Sequence, residues 1–343
     1  MAKKKLKAVL VGCGSMSRAW LDPASKMKNV EFVGLVDVVR KAAEARAEGY
    51  GLLPDVVYDD LAEAIKATSP DIVFDVTIPD AHDTVTITAL RAGCHVLGEK
   101  PMSVSMPRAR KMVAEAEKAD RIYAVIQNRR YEPNIQRVGK LIRSGKLGRV
   151  EEVHCDFYIG AHFGGFRDEM EHPLLVDMAI HTFDAARYIS QADPVAVYCH
   201  AFNPKRSWYK GDASAVGVFE MTDDITYTYR GSWCAEGLGT SWNSQWRIVC
   251  SKGTITWTGD GEVKAQRIKP KGKHAFFSDM EDVAVPELSV KHQGHEGLIR
   301  EFVKCVETGA VPQTICTDNI KSLAMVLAAV DSDKKRRRVE VKV

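Results

Sequence analysis

The first 37 residues constrain the fold more than any other stretch of the chain. The apolar run Leu6–Val11 ends in Gly12-Cys13-Gly14-Ser15-Met16-Ser17, and a helical pattern follows to about Lys28. A second apolar run, Val30–Val36, ends in Asp37. Two strands joined through a crossing helix run parallel, so a chain that opens this way is committed to a parallel sheet with right-handed crossovers. The glycines have separate jobs. Gly12 allows a tight turn, and Gly14 lets the backbone around Cys13, Ser15 and Met16 approach a pyrophosphate at the helix N-terminus. Asp37 lies 20 residues after Ser17, where a carboxylate accepts hydrogen bonds from a ribose diol. The third glycine of the usual pattern, which serves helix–strand packing, is replaced by the small Ser17. The unit predicts dinucleotide binding. Asp37 repels a 2′-phosphate, which favours NAD, while Arg40 keeps NADP open because a guanidinium there can hold that phosphate.

The alternation continues. A helix around Glu63–Ala67 follows Asp59, Asp71–Thr77 reads as a buried strand, Asp83–Ala92 as a helix and His95–Glu99 as a strand. A helix from Ser103 to about Lys118 and a strand at Arg121–Gln127 close the series. In such sheets ligands sit beyond the carboxyl ends of the strands. That edge carries Thr77, Pro79 and His82, then Glu99, Lys100 and Pro101, then Asn128, all candidate cofactor contacts. Lys100 is also a candidate catalytic cation, since an ammonium at that edge can polarise a substrate oxygen.

A second stretch, Pro173–Tyr188, places Asp177, His181, Asp184 and Tyr188 at steps of four, three and four. On an α-helix these share one face. Leu174, Leu175, Met178, Ile180, Phe183 and Ala185 make most of the remaining surface apolar, so the polar stripe is expected to face a cleft. A histidine between two carboxylates is the arrangement of an oriented general base. A core helix with a hydrogen-bonded histidine has the same pattern, and the helix alone does not separate the two.

A chain of 343 residues exceeds one ordinary core, and two domains are expected, 1–128 and 129–343. The 48 basic and 45 acidic residues nearly balance, which argues against a nucleic-acid or membrane surface as the main partner. No apolar run approaches a membrane span. Lysines at 3, 4, 5 and 7 precede an apolar run too short for a signal-peptide core and read as a solvated lead-in. The eight cysteines show no C-x-x-C spacing, so neither a zinc site nor a redox dithiol is expected. Asp177, His181 and Asp184 have ligand-like spacing, but no further cluster supports a metal there. A reducing, cytoplasmic setting is the expectation. The run Lys334–Arg338 reads as a solvated terminus rather than a nuclear address or phosphate patch.

The glycine turn with Asp37, the Glu99-Lys100-Pro101 motif and Asp177-x-x-x-His181, in this order, resemble the glucose–fructose oxidoreductase / inositol dehydrogenase (Gfo/Idh/MocA) family. The resemblance extends over essentially the whole chain, to Glu301-Phe302, Gly309, Pro312 and the closing helix. It implies an α/β fold with an N-terminal Rossmann dinucleotide-binding domain and a C-terminal α+β domain carrying a large, mostly antiparallel open sheet. That sheet is implied to mediate a homodimer or homotetramer. A nicotinamide cofactor and a sugar, inositol or related polyol substrate are implied too. Lys100, Asp177 and His181 become the implied catalytic residues, with Glu99 and Pro101 lining the nicotinamide pocket. Arg129 falls in a stretch that often touches substrate. Ala179 departs from the glycine the family usually places there.

In the second half, Pro133–Ser144 reads as a helix and Val150–Ile159 as a strand. The Gly-rich, aromatic segment from Tyr158 to Asp168 has the composition of a binding loop, with His162 and Arg167 as substrate candidates, although a structural Ω-loop fits as well. Val195–Phe202, Ala215–Met221, Ile225–Trp233, Trp246–Cys250 and Thr254–Trp257 read as strands, and their short connections predict antiparallel pairing. Trp233, Glu236 and Trp242 flank a Gly-rich loop within reach of a substrate. The leading expectation is hydride transfer between nicotinamide and a secondary alcohol. Two rivals are a glycosidase or lyase that oxidises its substrate transiently, and a non-catalytic nucleotide-binding regulator.

Overall fold

The structure is a computed structural model that describes residues 5–289 and 291–343. Lys3 and Lys4 of the basic lead-in lie outside the described residues. The chain divides into two units, Met1–Asn128 with Lys291–Leu323, and Arg129–Val290 with Ala324–Val343.

The first unit is built on a parallel sheet of β1 (Leu6–Val11), β2 (Val30–Val36), β3 (Val57–Tyr58), β4 (Ile72–Asp75), β5 (His95–Gly98) and β6 (Tyr123–Val125), in the order β3-β2-β1-β4-β5-β6. The strand order reverses between β1 and β4, and that is the switch point at which such sheets bind ligands. Ala8, Val9 and Leu10 of the central strand are fully buried, as a strand covered by helices on both faces must be. Register places the site. Val11 pairs with Val36 and with Asp75, Asp75 with Gly98, and Gly98 with Val125. The segments after each strand, at Gly12, Asp37, Val76, Glu99 and Ile126, therefore share one edge. β3 has only two residues, too short to leave a periodic signal in the sequence.

Residues 291–323 return to this unit, although the expected boundary at 128/129 puts them in the second domain. The Val125 amide donates to the Thr314 carbonyl at 3.1 Å, and Ala124 bridges to Ile315. The helix Gly294–Thr308 buries Phe302 fully, with its ring 6.4 Å from Phe74 of β4. These contacts link positions far apart in the chain and have no local signature.

The second unit contains a nine-stranded sheet. Its strands are β7 (Val150–Tyr158), β8 (Pro194–Phe202), β9 (Ser214–Met221), β10 (Thr226–Ser232), β11 (Gln245–Cys250), β12 (Gly253–Trp257), β13 (Lys264–Ile268), β14 (Met280–Asp282) and β15 (Val339–Glu340). The order is β14-β13-β12-β11-β7-β10-β9-β8-β15. All pairs are antiparallel except β10 with β7, which is parallel. The chain leaves β7 through a loop and helix and reaches β10 only after β8 and β9, so no hairpin joins the two. β13 and β14, unexpected from the sequence, read KAQRI and MED. β14 is the edge strand and β13 its neighbour, and polar sequence of this kind is typical of a sheet margin.

One face of this sheet is covered by the helix Ile180–Ser190. Tyr227 and Tyr229 of β10 are each 1% exposed, while Thr226 and Arg230 on alternate positions face out. Phe183 packs edge-on against Phe219 at 4.8 Å and Tyr229 at 5.2 Å. The outer face carries Tyr198, Phe202, Val216 and Val218, all exposed. The eight cysteines form no disulfide, and all but Cys234 are buried. Among the described residues, no helix is long and apolar enough to cross a membrane.

Candidate functional site

The glycine turn is fixed by sterics on one side and open on the other. Gly12 has φ +94°, and a Cβ there would lie 2.4 Å from the Val76 carbonyl oxygen. Gly14 is exposed, and a Cβ there meets no protein atom within 4 Å. No neighbour in the protein demands that glycine, so the free space suits a ligand brought against the backbone. The residues present thus fit a dinucleotide pyrophosphate. Ser15 and Met16 are exposed beside it at the start of the helix Ser17–Ala24. Ser17, in the third-glycine place, is fully buried and donates its hydroxyl to the Gly14 carbonyl at 2.6 Å.

Asp37 holds the turn as well as facing it. Its Oδ2 accepts from the Cys13 amide at 2.7 Å and its Oδ1 from the Val39 amide at 2.8 Å. The Cys13 amide is thus committed to Asp37, and its side chain is 2% exposed. Burial, reinforced by the Asp37 charge, pushes the Cys13 thiol up to about 12. Arg46, which sequence reasoning missed, donates to the carbonyls of Cys13 (3.2 Å) and Gly14 (2.9 Å). Its place on the helix Arg40–Gly49 gives no local sign of that reach. Arg40 is instead engaged by Glu44 and Asp59, each at 3.1 Å.

The other strand ends are tied together. Asp75 is fully buried and accepts from the Thr77 amide and hydroxyl and from Thr86. Burial pushes its carboxyl above the usual range. The His82 ring spans the Pro101 carbonyl at 2.9 Å and the Thr77 carbonyl at 3.1 Å, which makes it a strut between two loops rather than a group open to a ligand. Glu99 is 7% exposed and accepts from Trp20 Nε1 at 2.8 Å and from the Lys100 amide at 3.1 Å. Pro101 is buried beyond a cis Lys100–Pro101 bond. Lys100, Thr77 and Pro79 are half-buried on the ligand edge, and so is Asn128, whose amide contacts His295 Nδ1 at 3.1 Å.

In the second unit the Asp177 segment is not a uniform α-helix. Leu174–Ala179 forms a π-helix, which continues as the α-helix Ile180–Ser190. Single π turns concentrate at functional sites, and the wider i→i+5 turn changes the register of Asp177 against His181 from the expected α spacing. Asp177, His181 and Tyr188 are half-buried, whereas Asp184 is 0% exposed. Asp184 departs from the expected stripe because both of its oxygens accept from Arg130, at 2.7 and 2.8 Å, with Arg187 4.0 Å away. That buried ion pair anchors the helix to the segment Asn128–Tyr131. Asp177 accepts from Arg167 Nε at 2.6 Å, and the Arg167 guanidinium stacks over Phe163 and Phe166. Two residues singled out separately thus form one pair.

The remaining candidates scatter. Tyr158 lines an open depression of about 700 Å³ with Glu236, Thr240, Trp242, Asn243 and Asp260, which neither Asp177 nor His181 lines. Arg129 reaches Asn243 at 2.8 Å, and burial pulls its guanidinium below the ordinary value. His162 is stacked on Trp208 at 3.6 Å and contacts Glu236 at 3.2 Å. Trp233, a substrate candidate from the sequence, lies in the core, 2% exposed and packed against Tyr209 and Phe163.

A parallel sheet with a glycine turn at its switch point and an acid at the end of β2 defines an NAD-binding Rossmann protein. The sequence matches the family model "Oxidoreductase family, NAD-binding Rossmann fold" over residues 6–127 and the "GFO/IDH/MocA C-terminal domain" over residues 135–256. The chain belongs to the Gfo/Idh/MocA oxidoreductase family. It is 26% identical to a D-apiose dehydrogenase of Paraburkholderia graminis, covering 99% of this chain and 90% of that protein. It is also 26% identical to an inositol 2-dehydrogenase of Rhizobium meliloti, covering 97% and 98% respectively. An oxidoreductase from Agrobacterium radiobacter, solved in complex with NAD+, L-tartaric acid and magnesium, shares the fold at TM-score 0.86 and 21% identity, covering 98% of this chain and 99% of that one.

Proposed function

We propose that this protein is an NAD-dependent dehydrogenase that exchanges a hydride between nicotinamide and a secondary alcohol or ketone of a sugar, inositol or related polyol. The observation that carries the reading is the half-buried Asp177–His181 pair on a π-to-α helix, in a chain whose Rossmann turn leaves Gly14 open. The relatives named as sugar and inositol dehydrogenases support the substrate class. NAD is favoured over NADP because Asp37 repels a 2′-phosphate and Arg40 is engaged by two carboxylates.

In this reading the nicotinamide supplies the hydride acceptor. His181 takes the hydroxyl proton, and Lys100 stabilises the charge that develops on the reacting oxygen. Asp177, paired with Arg167, orients His181 or a neighbouring hydroxyl. We also assign a homo-oligomer to the outer face of the second sheet, on the strength of its exposed Tyr198, Phe202, Val216 and Val218. The test is net NADH formation from a panel of sugars and inositols. His181→Ala and Lys100→Ala are each expected to lose about 10²–10⁴-fold in turnover while NAD still binds. Near-normal turnover in either purified variant removes the assignment. Turnover without accumulation of NADH transfers the protein to transient-oxidation chemistry.

A further inference from the structure

A separate cluster lies at the base of the Asp177 segment. His172 precedes the π-helix, Asp212 sits on the loop ahead of β9, and Asp333 lies near the end of the helix Cys316–Lys335. Each offers one ligand atom, and these atoms lie within 4.8 Å of one another. All three belong to the second unit.

The histidine points to a ligand independently of the carboxylates. It is 5% exposed, and neither ring nitrogen has a hydrogen-bond partner. Buried polar groups normally find such partners. Its Nδ1 faces Asp212 Oδ2 at 3.5 Å, a separation that matches two ligands of one ion at roughly 2.0–2.2 Å from each. On the far side, Glu171 stands 3.7 Å from Nε2 but is itself engaged by Lys334. Asp333 Oδ1 accepts from the Ala201 amide at 2.8 Å and from Arg336 at 2.9 Å, and His200 Nδ1 lies 3.4 Å away. None of those contacts uses Oδ2. Arg336 is the cation in contact with the set, and its side chain is 61% exposed, so much of its charge is met by water.

The backbone holds the cluster in shape. The Asp212 amide donates to the Glu171 carbonyl at 2.8 Å, and the Lys210 amide to the Asp168 carbonyl at 2.8 Å. A Cβ at Gly211 would fall 2.1 Å from the Glu171 oxygen, so the Asp212 loop lies flush on the chain that carries His172. The Asp212 side chain is 30% exposed, which gives an entry path and room for water ligands.

We propose that His172, Asp212 and Asp333 bind one divalent transition-metal cation, of which Zn²⁺ and Mn²⁺ suit a set of one imidazole and two carboxylates completed by water. The ion is a structural clamp rather than a catalytic group. It fixes the base of the segment that carries Asp177 and of the loop that carries Arg167. The proposal departs from the sequence expectation of no metal, because the three ligands are far apart in the chain and show no motif spacing.

The test is calorimetric titration of chelator-treated full-length protein with Zn²⁺ alone, repeated with Mn²⁺ alone, alongside thermal melts. One saturable equivalent per chain is expected, with a rise in melting temperature. Asp212→Asn and His172→Ala should each weaken binding by about 10–100-fold or more. Metal-free melts that match those of the metal-free parent show that the variants are folded, and the conservative Asp212→Asn keeps the proposal testable where His172→Ala does not fold. Absence of a saturable equivalent with either ion overturns the proposal. Unchanged affinity in Asp212→Asn overturns it too, since the ion is then held elsewhere, for instance by cysteines. The readout contains no substrate, so its failure leaves the dehydrogenase reading standing, and loss of that reading leaves the metal result intact.

Discussion

Gly12 and Gly14 stand two residues apart in one turn, and the structure predicts opposite consequences for the same substitution. At Gly12 an alanine meets Val76 O at 2.4 Å, Val76 C at 2.6 Å and Thr77 N at 2.9 Å, all backbone atoms, with φ at +94°. Positive φ costs a residue with a Cβ about 1–2 kcal/mol. Displacing packed backbone adds about 1–3 kcal/mol. Gly12→Ala should therefore lose about 2–5 kcal/mol, or about 4–20 °C of melting temperature at the usual 2–4 °C per kcal/mol. At Gly14 the alanine Cβ meets nothing within 4 Å and φ is not in the left-handed region. Gly14→Ala should melt within about 2 °C of the parent, because its only cost falls on the bound state. NAD affinity should nonetheless drop at least about tenfold, or about 1.4 kcal/mol, since the methyl occupies the approach to the pyrophosphate. Scanning calorimetry without cofactor and calorimetric titration with NAD measure the two effects separately. If Gly14→Ala binds NAD as the parent does, or melts as low as Gly12→Ala, the division of labour argued from the turn is wrong.

Two further predictions concern the second unit. Arg130→Met leaves the fully buried Asp184 carboxylate with the more distant Arg187 and should destabilise the protein by about 3–5 kcal/mol, while Arg130→Met with Asp184→Leu should recover much of that loss. A single variant that melts within about 2 °C of the parent would show that the pair does not anchor the helix. Val216→Lys, on the exposed sheet face, should reduce the sedimenting mass at micromolar concentration. An unchanged mass, or a monomeric parent, would move the oligomer assignment off this face.

Much of the first unit was legible in the sequence because its signals are local. A strand, a turn and a helix within 20 residues are specified by glycine placement and apolar period, and the register of the sheet then brings the other strand ends to the same edge. β3 escaped because two residues have no period, and β13 and β14 because they are short, largely polar runs at one end of the sheet. At the site, Asp177 and His181 were legible from their spacing, but the π turn between them was not, since no residue type encodes it.

By itself the sequence determined the glycine turn, the acid that answers it, the alternation that makes the sheet parallel, and an Asp–His pair on a helix. Only the tertiary structure decided which polar groups are used for what. It buried Asp184 against Arg130, joined Asp177 to Arg167, placed Arg46 over the turn, put Trp233 in the core and returned residues 291–323 to the first unit. It also gathered His172, Asp212 and Asp333 from three distant segments. Secondary structure answers to neighbours along the chain, whereas a buried charge answers to whichever partner the fold brings within hydrogen-bonding distance.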